Sequence, residues 1–331
     1  MTKSDIALSI VVPVYRGAAS IGELVHALED LKIAGGYEII LVNDGSPDNS
    51  LEICRDLLRT SSVPLTVVNL ARNFGEHNAV LAGLRHARGA WVITMDDDLQ
   101  NPPTEVVRIL EFAQHSEQHV IYSYYDAKEH AAWRNLGSRF TNWVADILLD
   151  KPKGLYLSSF RCISAFVVEH IVRYTGPFPY VDGLILQVTQ KIGRIEVKHL
   201  PRAHGRSNYT LPRLFQLWLT MFVSFSVMPL HISTLTGVTL SMFGGIATIF
   251  VAIEAMFTNT PPGWGSLMAA MLLLSGVQLL ILGMIGEYLG RVYMTSNGKP
   301  QSVVADVQSN RSSAKDEGKD ADLKPTAVRR A

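Results

Sequence analysis

Three consecutive carboxylates, Asp96, Asp97 and Asp98, end a short apolar run (Val92, Ile93, Thr94), and Pro102 and Pro103 follow as a helix start. In an extended chain successive side chains point to opposite faces, so Asp96 and Asp98 share one side and Asp97 takes the other. Two carboxylates at that spacing form a hard oxygen site suited to Mg2+ or Mn2+, with room for the phosphate oxygens of a ligand. A bare Asp triplet fits a solvated turn or a helix cap equally well, so the rest of the chain decides. A second chemical stretch is Pro201–Tyr209, where Arg202, His204, Arg206, Ser207 and Tyr209 are suited to hold a phosphate. Basic residues beside a membrane segment are the competing reading of that stretch.

These residues need a frame that brings them together. Ile6–Val14 is a near-continuous apolar run, as in a parallel strand buried on both faces. Ile21, Leu24, Leu28 and Leu31 then recur at helical spacing behind Ser20. Strands over Tyr37–Val42, Leu65–Leu70 and Ala90–Met95, with helices over Leu51–Leu58 and Asn78–Ala87, continue a βαβαβαβ alternation. That order predicts an α/β fold: an open, mostly parallel sheet with helices on both faces, binding ligands beyond the carboxyl ends of its strands. Polar residues gather at those ends: Tyr15 and Arg16, then Asp44, then Arg72 and Asn73, then the Asp triplet. No G-x-G-x-x-G or Walker loop follows the first strand. Further on, a strand is expected over Val120–Tyr125, a helix over Ala131–Leu149 with Trp133, Leu136, Phe140, Trp143 and Ile147 on one stripe, and a last strand over Ile195–Leu200.

Thirty Lys and Arg balance thirty Asp and Glu among 331 residues, so no charge excess points to nucleic acid. Cys54 and Cys162 make neither a disulfide framework nor a metal pair. The apolar start lacks a long core and a cleavage site, and reads as a strand instead of a signal peptide. No Asp, Glu, Lys or Arg occurs between Arg213 and Glu254, or between Glu254 and Glu287. Two membrane helices are expected, over about 235–257 and 265–287, after an interfacial segment at 211–230. Arginines on both flanks are expected to put the domain over 1–210 and both termini in the cytoplasm. The membrane domain covers 231–292, and the polar composition of 300–331 predicts a disordered tail. Gly237, Ser241, Gly244 and Gly245 would allow close helix packing in a homo-oligomer.

With the motifs VVPVYRG, LVNDGS, NLARNFGEHNAVLAGL, MDDDLQNPP, HGRSNY, SFSVMPL and GEYLGRVY in that order, the chain from about Ile10 to Lys299 resembles the polyisoprenyl-phosphate glycosyltransferases. These are inverting, family-two enzymes of the Rossmann-like GT-A fold that move a sugar from a nucleotide donor to a lipid phosphate at a membrane. The resemblance implies that Pro13, Tyr15, Asp44, Arg72, Asp96, Asp97 and Arg134 contact the nucleotide sugar. It also implies that Asp96, Asp98 and Gln100 hold Mg2+ or Mn2+, and that Arg202, Arg206, Ser207 and Tyr209 meet the donor diphosphate or the acceptor phosphate. Asp98, Asp182, Arg202 and Arg206 are the expected catalytic residues. The expected partners are a UDP-sugar and undecaprenyl phosphate at the bacterial inner membrane.

Three positions depart from the family's pattern. Arg16 and Gly17 stand where relatives read PVYNE, which removes an acidic contact to the nucleoside. Ser159 stands where many carry an aspartate proposed as the base, and Asn208 replaces a lysine of the basic loop. A catalytically impaired scaffold is therefore one alternative. Against it, a phosphate monoester, with a second pKa of about 6, is already mostly a dianion near pH 7 and needs little proton removal. A processive polysaccharide synthase fits less well, because the chain lacks a Q-x-x-R-W motif. A transporter is disfavoured by the absence of an ionisable residue at the centre of either span.

Overall fold

A computed structural model describes residues 6–125, 155–176, 179–198, 200, 263–298 and 300–310, with scattered helical positions between 235 and 253. The alternation expected from the sequence is present as β1 (Ile6–Val14), α1 (Ile21–Glu29), β2 (Tyr37–Asn43), α2 (Ser50–Thr60), β3 (Leu65–Leu70), α3 (Glu76–Leu84) and β4 (Gly89–Thr94). After it come α4 (Pro103–His115), β5 (Val120–Tyr124), β6 (Arg161–Ser164), α5 (Ala165–Ile171), α6 (Val181–Val188) and β7 (Ile192–Glu196). The last elements are α7 (Trp264–Ser296) and β8 (Val304–Ser309).

The eight strands form one sheet in the order β7-β5-β6-β4-β1-β2-β3-β8. β1 lies parallel to both β2 and β4, and β2 parallel to β3. The chain thus runs outward to β3 and then crosses β1 to reach β4. The switch point between β1 and β4 is where such sheets open a crevice for ligands. β6 and β8 run antiparallel to their neighbours. Alternation along β1 builds a core on each face. Leu8, Ile10, Val12 and Val14 join residues of α1, α2 and α4, while Val11 joins residues of α3, α5 and α6. Burial on both sides is why this strand carries almost no polar residue. Cys54 and Cys162 are buried and unpaired.

The expected last strand begins earlier, at Ile192, and the four-residue β6 has no counterpart in the sequence reading. The helix expected over 131–149 lies outside the described residues. The tail needs correction: its start is an ordered edge strand, β8, antiparallel to β3. Ala71 N–H donates to Val303 C=O at 2.9 Å. Asp306 accepts from Arg55 at 3.1 Å and from the Asn69 amide at 2.9 Å, and Asn310 Oδ1 accepts the Leu65 N–H at 2.8 Å. An edge strand is held by ladder and polar contacts more than by burial, so a segment poor in apolar residues can still be ordered.

α7 has 33 residues, about 50 Å at 1.5 Å per residue. Leu267, Met271, Leu274, Leu279, Leu282, Ile285 and Leu289 on it are exposed. Counted over the described residues alone, no helix is long and apolar enough to cross a membrane. The α7 sequence is free of Asp, Glu, Lys and Arg from Leu267 to Gly286.

The Asn69 amide and then Arg55 hold the Asp306 carboxyl below its ordinary pKa. Its contribution is therefore full above the ordinary carboxylate range and is lost as pH falls through the depressed folded value. Asp306→Ala should destabilise the domain by about 1 kcal/mol near neutral pH and by nothing in strong acid. Denaturant titrations of both proteins across pH check this; an equal difference at every pH would remove the charge from the account.

Candidate active site

β4 ends at Thr94, so the three aspartates lie beyond it in a turn, with Leu99 at φ +61°. A non-glycine residue in the left-handed region is uncommon and turns the chain sharply. The three carboxyls lie beyond the strand, where alternation does not govern them, and each takes a different neighbour. Asp96 Oδ2 accepts the Ser159 hydroxyl at 2.7 Å, and Asp98 Oδ1 accepts the Gln100 N–H at 3.2 Å. Asp97 turns to the β1–α1 loop, where a Cβ on Gly17 would collide with its Oδ2. That oxygen is buried without a hydrogen-bond partner. Burial, and then the neighbouring Asp96 and Asp98, push the Asp97 pKa up to about 7.

The facing side of the crevice comes from the ends of β1, β2 and β3. Pro13 pairs with Val42 just below the rim. Tyr15 is exposed, and Arg16, at φ +58°, sets its guanidinium 5.6 Å from the Tyr15 ring centroid. Asp44, expected at the nucleoside, is buried, and its two oxygens accept the N–H groups of Phe74 and Gly75 at 2.7 and 2.9 Å. It ties the end of β2 to the start of α3, as an acidic group at a helix N-terminus does. Gly45, at φ +57°, lets this turn lie against the Arg72 backbone, where any Cβ would collide. Arg72 is exposed, with its guanidinium 4.4 Å from the Phe74 ring centroid. Tyr15, Asp44, Arg72 and the aspartates are thus at one rim.

Asp182 does not fit the catalytic role expected of it. It is buried on α6, ion-paired with the buried Arg161 of β6, and its Oδ1 accepts the Tyr122 hydroxyl at 2.7 Å. A carboxylate held by a buried guanidinium is a poor base, since freeing it would strand a charge. Glu76, the first residue of α3, escaped the sequence reading. Protein crowding, and then Asp96, push its pKa up to about 7, although its side chain reaches solvent. Its signal was a carboxylate opening the helix that follows a rim-ending strand.

Arg134, Arg202, Arg206, Ser207 and Tyr209 lie outside the described residues. The root of the basic stretch is described: Leu200 N–H donates to Gln100 C=O at 2.8 Å, and Gln100 Nε2 donates to Leu200 C=O at 3.3 Å. Asp96, Asp98 and Gln100 offer hard oxygen atoms on one turn, a donor set that fits Mg2+ or Mn2+. Among the described residues no group of three or more His, Cys, Asp or Glu is preassembled for a metal.

Residues 9–170 match Glycosyl transferase family 2. An undecaprenyl-phosphate 4-deoxy-4-formamido-L-arabinose transferase of Pseudomonas paraeruginosa is 33% identical over 303 residues, covering 89% of this chain and 88% of that relative. The chain belongs to glycosyl transferase family 2. The match bears out the resemblance drawn from the motifs. Among solved structures, S. aureus TarS 1–349 gives a TM-score of 0.46 at 15% identity, covering 66% of this chain and 65% of that one. Glucosyl-3-phosphoglycerate synthase from Mycobacterium tuberculosis in complex with UDP gives 0.49 at 17% identity, covering 66% and 79%.

Two substitutions separate binding from folding in this transferase. Gly17→Ala should drive the Asp97 carboxyl from its place and weaken nucleoside diphosphate binding by about tenfold, read by calorimetry. Asp182→Ala should cost about 3–5 kcal/mol of stability by stranding Arg161. A normally stable Asp182→Ala enzyme with slow turnover would restore Asp182 to the chemistry.

Proposed function

We propose that this transferase moves a monosaccharide, with inversion, from a nucleotide sugar to a polyprenyl phosphate at the cytoplasmic face of the bacterial inner membrane. A UDP-sugar and undecaprenyl phosphate are the favoured pair. The observation that carries this reading is that the acidic turn and both connections to the apolar segment meet one rim. Leu200 is bonded to Gln100 before that segment, and Val303 to Ala71 after it. A phosphate borne on a lipid would meet there a donor held between β1 and β4. The apolar side chains exposed on α7 are at ease only where the surrounding medium is hydrocarbon, and the substrate named for the Pseudomonas relative is itself lipid-borne.

A divalent cation held by Asp96, Asp98 and Gln100 would neutralise charge on the departing nucleoside diphosphate. The protein's own groups have the task of placing the reactants. Tyr15 offers a ring to the nucleoside, and Arg72, with Arg134, offers charge to the diphosphate. Arg202, Arg206, Ser207 and Tyr209 suit the acceptor phosphate. Ser159 donates its proton to Asp96 and is no base; an acceptor with a second pKa of about 6 requires none.

Asp98→Ala should lower metal-dependent transfer of labelled sugar to undecaprenyl phosphate by about a hundredfold or more, with the circular dichroism unchanged. A full-rate variant would reject the assignment of Asp98. If the wild-type protein binds nucleotide yet labels no lipid with any donor, the reading as a scaffold gains.

A further inference from the structure

We infer that Ser159 is a positioning residue: its hydroxyl, fixed by β4 and β5, aims the Asp96 carboxylate for the divalent cation that steadies the donor diphosphate. The inference rests on the function proposed above and deepens it. Ser159 Oγ donates to Asp96 Oδ2 at 2.7 Å, the short length of an O–H given to a charged oxygen. The backbone around that hydroxyl is tied on every side. The Ser159 C=O accepts the Thr94 hydroxyl at 2.6 Å, and Thr94 is the buried last residue of β4. Just before it, Ser158 Oγ lies 3.0 Å from Ser123 Oγ and accepts the Phe160 N–H at 3.2 Å. Just after it, the Phe160 C=O accepts both the N–H and the hydroxyl of Ser123 on β5, at 3.2 and 2.7 Å. Thr94, Ser123, Ser158 and Phe160 are all buried, so these bonds act away from water, where losing a partner is costly.

A hydroxyl on so fixed a frame presents its proton at one place, and the carboxylate that takes it loses its freedom to swing. A carboxylate has two oxygens with about four lone-pair directions, so accepting one O–H does not exhaust its capacity for a hard cation. Outer partners of this kind orient metal-ligating carboxylates, and their loss weakens the metal by roughly ten- to a hundredfold. The residue type matters as much as the place. Alanine at 159 would give Asp96 nothing, and aspartate would add a further carboxylate to the triplet with no proton to donate near neutral pH. A hydroxyl supplies direction without charge.

The test uses full-length enzyme in detergent, with UDP and Mn2+ as the probes in calorimetry. Ser159→Ala should weaken Mn2+ binding in the presence of UDP by about tenfold, while UDP binding in chelator stays unchanged. Ser159→Thr keeps a hydroxyl and should restore Mn2+ binding. Thr94→Val removes the donor to the Ser159 C=O and alters no candidate ligand, yet it should weaken Mn2+ by about threefold. Ser159→Asp should weaken it as Ser159→Ala does. Lowered thermal stability with wild-type Mn2+ binding in both Ser159→Ala and Thr94→Val would leave Ser159 a structural residue and overturn the inference. So would a Ser159→Asp enzyme that binds Mn2+ as the wild type does and transfers sugar faster, which would give the position to proton transfer. A wild-type protein that binds no Mn2+ in the presence of UDP would overturn it as well. If the wild type binds UDP and Mn2+ but labels no lipid, the proposed function fails, and the Mn2+ affinities of the variants still decide the role of Ser159.

Discussion

The active rim depends on a buried ion pair two residues from it. Arg161 and Asp182 are 2% and 6% exposed, and neither charge is tolerable there without the other. The pair joins α6 to the first residue of β6, while the Tyr122 hydroxyl brings in β5. Arg161 stands in register with Thr94 of β4 and with Tyr122 of β5. Thr94 Oγ1 donates to Ser159 C=O at 2.6 Å, and Ser159 donates in turn to Asp96. An apolar trio of similar volume would pack as stably without tying one register to one pair of charges. A slip of β6 by one residue turns every side chain to the other face, so it would part Arg161 from Asp182 and Ser159 from Asp96 together.

What this frame holds in place is a crowd of negative charge. The Asp97 pKa is pushed up to about 7, first by loss of water and then by Asp96 and Asp98, and Glu76, which reaches solvent, is raised in the same direction with Asp96 among its causes. Raised carboxyl values mean that the folded protein keeps protons the unfolded chain would release. Stability therefore falls as pH rises from the ordinary carboxylate range towards 7, the opposite sign to Asp306. Gly17 leaves the space for Asp97, and the orphaned Oδ2 shows that the fold alone does not satisfy it. That unmet demand lies at the crevice end of the sheet and not in the core.

The sequence disclosed what local pattern can carry. β1 to β4 were visible because strands buried on both faces must be apolar almost throughout, and the rim followed from their order. β6 was hidden because four residues, RCIS, have no period to read and place an arginine in the core. β8 was hidden because its partners, such as Asn69 for Asp306, lie 237 residues away, and an edge strand has no need of apolar residues. Asp44, Asp182 and Gln100 were found by type, yet type does not tell a ligand from a tie. The two backbone N–H groups on Asp44, the guanidinium on Asp182 and the Leu200 backbone on Gln100 are all non-local.

β8 also limits how far the catalytic domain and α7 can part. Eight residue steps separate Ser296, where α7 ends, from Val304, which stands opposite Leu70 at the carboxyl end of β3. At full extension they span roughly 27 Å, so the end of the helix stays within that distance of the rim. The same strand covers the β3 edge, whose free N–H and C=O groups would otherwise invite pairing with another chain. Its polar composition serves both ends. Val304, Val307 and the neighbouring polar side chains are largely exposed, so the ladder, Asp306 and Asn310 do the holding. A more apolar segment following so apolar a helix would have nothing to keep it on this edge in preference to other apolar surfaces. The Asp306 carboxylate, matched to Arg55 and Asn69, gives the strand a reason to pair here and in this register.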